Sequence, residues 1–219
     1  LSGVTVLGET LELTPAQVQG APIPRESTQW FRCSEVTADP VEDANCSLIA
    51  DASDGEYTTG VADIGMHIVV VHSIENLSGS DRLVLNSPLP IRSAPVFTGE
   101  HSFRFSDDNQ LSYPMVGETL GTETFFGQPG WDAYPPISSQ SGQWLSCESP
   151  IEAATSTTPV DCDLLESPGS GLLPITLTEA ESGRYVTVRV TLGNGFGTTS
   201  MVMPTSTPTG KEIEMLEPP

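Results

Sequence analysis

Lysine occurs once, at Lys211, and the 8 basic residues face 29 acidic ones, for a net charge of −21. Phosphate-bearing partners need clustered cations, so nucleic acid is not an expected partner. An anionic membrane surface is excluded on the same ground. Long apolar runs are missing as well. The longest aliphatic stretch, Ile68–Val71, is far short of the roughly 20 residues a spanning helix needs, so no direct membrane insertion is expected. Charged residues are only 17% of the chain, too few for a charge-rich disordered protein. Catalytic signatures are lacking too. There is no Gly-x-Ser-x-Gly elbow, no His-Glu-x-x-His and no phosphate-binding loop, and each would be required for its chemistry. The three histidines show no metal-ligand spacing. The expectation is a protein without cofactor or enzymatic activity.

Turn chemistry, by contrast, is abundant. The chain holds 24 Ser, 23 Thr, 20 Gly and 19 Pro, 86 of its 219 residues, a composition hostile to helix interiors and rich in turns. Self-similarity organises it. Leu7-Gly-Glu-Thr-Leu11 returns as Val116-Gly-Glu-Thr-Leu120, and Gln29-Trp30-Phe31-Arg32-Cys33 returns as Gln143-Trp144-Leu145-Ser146-Cys147. Cys46 matches Cys162, and the strand-like run Gly65–Asn76 matches Gly183–Asn194. The offset drifts from 109 to 118 along the chain, as it does in duplicated units whose loops change length.

Each copy reads as β. Ile68, Val70, His72 and Ile74 alternate at period two, as do Val186, Val188, Val190 and Leu192. These sets are expected on the core face, with His67, Val69, Val71, Tyr185, Thr187 and Arg189 on the opposite face. Turn signals at Asn76–Gly79 and Asn194–Gly197 lead into a last strand in each copy. The expected class is all-β, two tandem immunoglobulin-like β-sandwich domains. Domain 1 spans 1–90 and domain 2 spans 91–207 with a long lead-in. A linker falls near Asn86–Ala94, and a C-terminal extension spans 208–219.

The motifs Val-Gly-Glu-Thr-Leu, Gln-Trp-x-x-Cys, Cys46-Ser-Leu-Ile49 and Tyr57-Thr-Thr-Gly-Val-Ala-Asp-Ile-Gly65 resemble bacterial immunoglobulin-like repeats. Such repeats are found in secreted and surface proteins, notably of actinobacteria. The resemblance implies fold and a secreted, extracellular or cell-surface location. It implies no reaction, since these repeats serve mostly as spacers, adhesive modules or fibre units.

Four cysteines, two per copy at matching places, allow three connectivities. Repeat symmetry selects Cys33–Cys46 and Cys147–Cys162, and disulfides point to an oxidising compartment. Asn45-Cys-Ser47 and Asn76-Leu-Ser78 are N-glycosylation sequons, so attached glycans are candidate partners. His72 reads as a hydrogen-bonded core histidine, and Trp131 as an aromatic packed under its own loop, with stacking on a sugar or a neighbouring subunit as the alternative. The acidic groups Asp51/Asp54/Glu56 and Asp107/Asp108/Asn109 read as solvated turns rather than calcium loops.

The ends do not match. In the tail, Ile213 and Met215 alternate with Glu212 and Glu214, a strand signal. At the 118-residue offset, Lys211–Leu216 falls on Ser93–Thr98. The tail therefore resembles the start of another unit. Donated to a neighbouring chain, Lys211, Glu212, Ile213, Glu214, Met215 and Leu216 would form an inter-subunit strand, giving self-association into a head-to-tail polymer. The alternative expectation is an adhesin stalk or a carbohydrate-binding accessory segment of a larger surface protein.

Overall fold

The computed structural model describes residues 1–14, 17–50, 52, 55–99, 114–120, 130–165, 174–205 and 208–210. No α-helix occurs among them. Fifteen strands follow in order: β1 (Ser2–Gly3), β2 (Thr10–Glu12), β3 (Arg25–Cys33), β4 (Cys46–Leu48), β5 (Glu56–Thr58), β6 (His67–Asn76), β7 (Gly79–Asn86), β8 (Ser93–Phe97), β9 (Thr119–Leu120), β10 (Trp131–Tyr134), β11 (Ser139–Cys147), β12 (Cys162–Leu164), β13 (Ile175–Thr176), β14 (Tyr185–Asn194) and β15 (Gly197–Val202).

The long strands carry the β-branched residues, which suit a pleated surface. Their hairpins are set by turn chemistry. Ser78 N donates to Asn76 Oδ1 at 2.8 Å and Phe196 N donates to Asn194 Oδ1 at 2.9 Å. Each asparagine thus holds its own turn, and the chain reverses with Asn76 opposite Gly79 and Asn194 opposite Gly197.

The two halves repeat each other in their larger sheets. One four-stranded antiparallel sheet has the order β4-β3-β6-β7 and the other β12-β11-β14-β15. Smaller sheets accompany them, β1-β2-β5 and β13-β9, each with a threonine pair across it. Thr10 and Thr58 hydroxyls lie 2.9 Å apart, Thr119 and Thr176 hydroxyls 2.8 Å. β8 and β10 pair as a further two-stranded sheet. The chain divides into two compact units. Unit 1 comprises Leu1–Val96 with Asp132–Pro136, and unit 2 comprises Phe97–Trp131 with Ile137–Pro219.

In unit 1 the main core joins Leu11, Leu13, Trp30, Ile49, Ile68, Val70 and Ile91, with the Trp30 and Tyr57 rings 5.6 Å apart between centroids. In unit 2, Leu120, Trp144, Ile175, Val186, Val188 and Val190 form the corresponding core. Layered strands with an apolar interior between the larger and smaller sheets are the packing of a β-sandwich. Ile91, in the stretch read as linker, is fully buried in the core of unit 1.

The face of the long strands opposite the main core is buried in part as well. Val69 is fully buried and Val71 is 2% exposed, packed with Phe31 and Cys33. Thr187 is likewise fully buried and donates to Met203 O at 2.8 Å. The cause is a covering loop between the cysteines of each unit. In unit 1 it is held by reciprocal bonds between Thr37 and Asn86, and by Arg82 on both carboxylate oxygens of Asp39. In unit 2 Ile151 bonds Thr205 in both directions, Thr155 bonds Val202 likewise, and Ile151 joins Leu145, Cys147 and Val202 in a second core.

Candidate subunit-contact surface

Each unit brings its incoming and outgoing segments together at one rim. In unit 1, Leu7 N donates to Arg92 O at 2.9 Å and Arg92 N to Thr5 O at 3.0 Å. On the other side Gly65 N donates to Ile91 O at 2.8 Å and Ile91 N to Met66 O at 2.9 Å. Unit 2 repeats every bond. Val116 N donates to Gly210 O at 3.0 Å, Gly210 N to Pro114 O at 2.7 Å, Gly183 N to Thr209 O at 2.9 Å and Thr209 N to Arg184 O at 2.8 Å. The two bridges between incoming and outgoing segments, Val6–Arg92 and Met115–Gly210, are both parallel. Past Arg92 the chain enters β8, which pairs with β10. Gly210 stands where Arg92 stands, so the next residues, Lys211–Leu216, hold the sequence position of β8. They lie outside the described residues.

Gly65 and Gly183 have matching conformations, with φ of +78° and +76°, a region that favours glycine. Their surroundings differ. A Cβ on Gly65 would sit 3.4 Å from the Tyr134 ring, whereas among the described residues nothing lies within 4 Å of the same position on Gly183.

The disulfides are Cys33–Cys46 and Cys147–Cys162. Each joins directly opposed residues of neighbouring strands, β3 with β4 and β11 with β12, at the base of a covering loop. Such bridges form in oxidising compartments. No helix is long and apolar enough to cross a membrane, among the described residues.

Asn45 is exposed in a turn, its backbone N–H held by Asp43 Oδ1. Asn76 ends β6, half-buried, with Nδ2 donating to Pro22 O at 3.0 Å. Pro22, Ile23, Arg25, Glu75, Asn76 and Leu77 line an open groove of about 500 Å³. Ile23 is 90% and Leu77 94% exposed there. His72 is buried between Thr28 and Glu26, with contacts of 3.3 Å from its two ring nitrogens. Trp131 lies in β10 and packs on the core of unit 2 beside Phe97 and Ile137. Asp51, Asp54 and Asp107–Asn109 lie outside the described residues.

A polar centre absent from the sequence reading sits beside the rim of unit 1. Asp63 is fully buried. It accepts from Arg32 Nε at 2.8 Å, Tyr57 Oη at 2.6 Å and Gly60 N at 2.7 Å. Burial, then the hydrogen bond to Asp63 and its charge, push the Tyr57 phenol up to about 12. Through these three donors Asp63 fastens β3, β5 and the turn before β6. The local signal was the Tyr57…Asp63 spacing inside the repeat motif, but its partner Arg32 is 31 residues away. No protein-family model, curated protein or solved structure matches this chain.

Proposed function

We propose that the chain is a non-enzymatic extracellular structural protein of two tandem immunoglobulin-like domains. In this reading it is the subunit of a cell-surface filament assembled head to tail by β-strand addition. The observation that supports it is the repeated rim ladder. The outgoing segment of unit 1 continues into β8 and finds a strand to pair with, β10. The outgoing segment of unit 2 is held by the same four backbone bonds up to Gly210. It leads into Lys211–Leu216, whose Ile213/Met215 alternation suits insertion beside another chain's strand. Two disulfides suit life outside the cell.

The test is truncation after Gly210, which keeps the Thr209 and Gly210 bonds intact. Native protein should form filaments under negative stain, and the truncated protein should stay monomeric with both disulfides formed. Ile213→Asp should act like the truncation, and Glu214→Gln should not. Native material that is monomeric at all concentrations would overturn the filament and leave the stalk-or-adhesin reading.

A further inference from the structure

Unit 1 is completed by a segment that arrives from far along the chain. Asp132–Pro136 belongs to unit 1, although the residues on both sides of it in sequence belong to unit 2. Within that segment Tyr134 covers Gly65. The segment lies directly ahead of β11. Its counterpart ahead of β3 is Val18–Pro22, since β3 and β11 share their length, their Trp and Cys positions and nearly the same burial pattern. Residues 17–22 form no strand in this chain and are mostly exposed. The following Ile23 is open to solvent, while Ile137, its counterpart, packs on the core of unit 2. The counterpart of Gly65 is Gly183, whose rim is uncovered among the described residues. Among the described residues, one copy thus carries a cover seated on the Gly65 rim, and an exposed Gln17–Ile23 segment together with an uncovered Gly183 rim.

The geometry points to a second copy of this chain as the occupant of the Gly183 rim, presenting Gln17–Ile23 as Asp132–Pro136 is presented to Gly65. This rests on the filament reading and names its acceptor: the contact between chains repeats one that exists within the chain. A cover and a rim on opposite units of one molecule make a heterologous contact, the head-to-tail kind on which an open filament is built when the rotation between subunits does not close a ring. Ile23 supplies apolar area lost to solvent in the free subunit.

The test uses the full chain carrying a photo-crosslinking benzoylphenylalanine in place of the exposed Gln19. Irradiation of the assembled fraction should join position 19 to the peptide around Ser182–Arg184 of another molecule, and irradiation of dilute monomer should not. Ile23→Glu should lower the assembled fraction at a fixed concentration by about tenfold or more. Its thermal transition should be unchanged, because the side chain is exposed. Gly183→Asn, a residue that tolerates positive φ, should weaken assembly from the other face. Filaments that persist with both variants, with crosslinks mapping elsewhere, would overturn this contact and leave the filament reading standing. A full chain that never assembles would overturn both.

Discussion

Arg32 and Arg184 make the same cross-strand fastening from opposite sides. Arg32, on β3, reaches Asp63 at 2.8 Å just ahead of β6. In unit 2 the Arg32 position is Ser146, and Arg184, just ahead of β14, reaches back to Ser146 Oγ and O at 2.8 Å and to Asp163 at 2.7 Å. The guanidinium has changed strands while the rim it braces has not. The burial of the partner differs: Asp63 is fully enclosed, whereas the Asp163 side chain is 77% exposed.

That difference sets the first prediction. Asp63→Ala leaves Arg32, Tyr57 and Gly60 without their acceptor, and should destabilise unit 1 by about 3 kcal/mol. Asp163→Ala removes a solvent-screened pair and should cost about 1 kcal/mol or less. Calorimetry of the two variants should show one transition lowered in the first and little change in the second.

A second prediction concerns alkaline pH. The Tyr57 phenol is raised to about 12 in the folded chain, first by burial and then by Asp63, from about 10 when unfolded. A raised folded value means that its contribution is complete below pH 10 and is lost as pH climbs from 10 through 12. Absorbance titration at 295 nm should show one tyrosine ionising late, and Asp63→Asn should bring that step to lower pH.

The outer face offers a third. Thr187 and Val188 are both fully buried on opposite faces of β14. Thr187→Asp and Val188→Asp should therefore be equally destructive to unit 2, each burying an unpaired charge at several kcal/mol. Thr187→Val, which gives up only the bond to Met203 O, should cost about 1 kcal/mol. Urea unfolding followed through Trp144 would separate the two cases. Tolerance of Thr187→Asp would show that the covering loop lifts easily.

The fourth concerns the covering loops. Replacing Cys147 and Cys162 by Ser should cost about 3 kcal/mol for the 15-residue separation. Cleavage by limited proteolysis should appear first between residues 148 and 161. The Trp144 environment should survive, because the main core lies on the other face.

Period-two alternation made the long strands legible. The Asn-to-Gly turns located their hairpins, and duplicated motifs located corresponding strands in both halves. The all-β class needed nothing more. The burial of Val71 and Thr187 on the outer face was not legible, because a local pattern of period two assigns only one face to the core. Their cover comes from a loop whose own sequence, rich in Ser, Thr and Pro, carries no periodic signal. The Arg32–Asp63 pair was invisible because it joins residues far apart in sequence. In unit 2 the arginine sits on the other side of the contact, so comparison of the copies conceals it. The place of Trp131 in a strand was likewise hidden by the glycines and prolines around it.

The parallel bridge between incoming and outgoing segments also sets how a unit carries tension. Its two segments run side by side in the same direction, so a pull on Leu1 and Val96 drags them past each other lengthwise. The Leu7–Arg92 and Arg92–Thr5 bonds are then loaded together in shear, rather than one after another as in a peeled hairpin. The bonds of Ile91 to Gly65 and Met66 share that load, and unit 2 has the same arrangement at Gly210 and Thr209. Forced rupture depends on the unfolding barrier rather than on equilibrium stability. Single-molecule pulling should accordingly give high, repeated force peaks, and Arg92→Pro, which removes one of the sheared donors, should lower one peak of each pair.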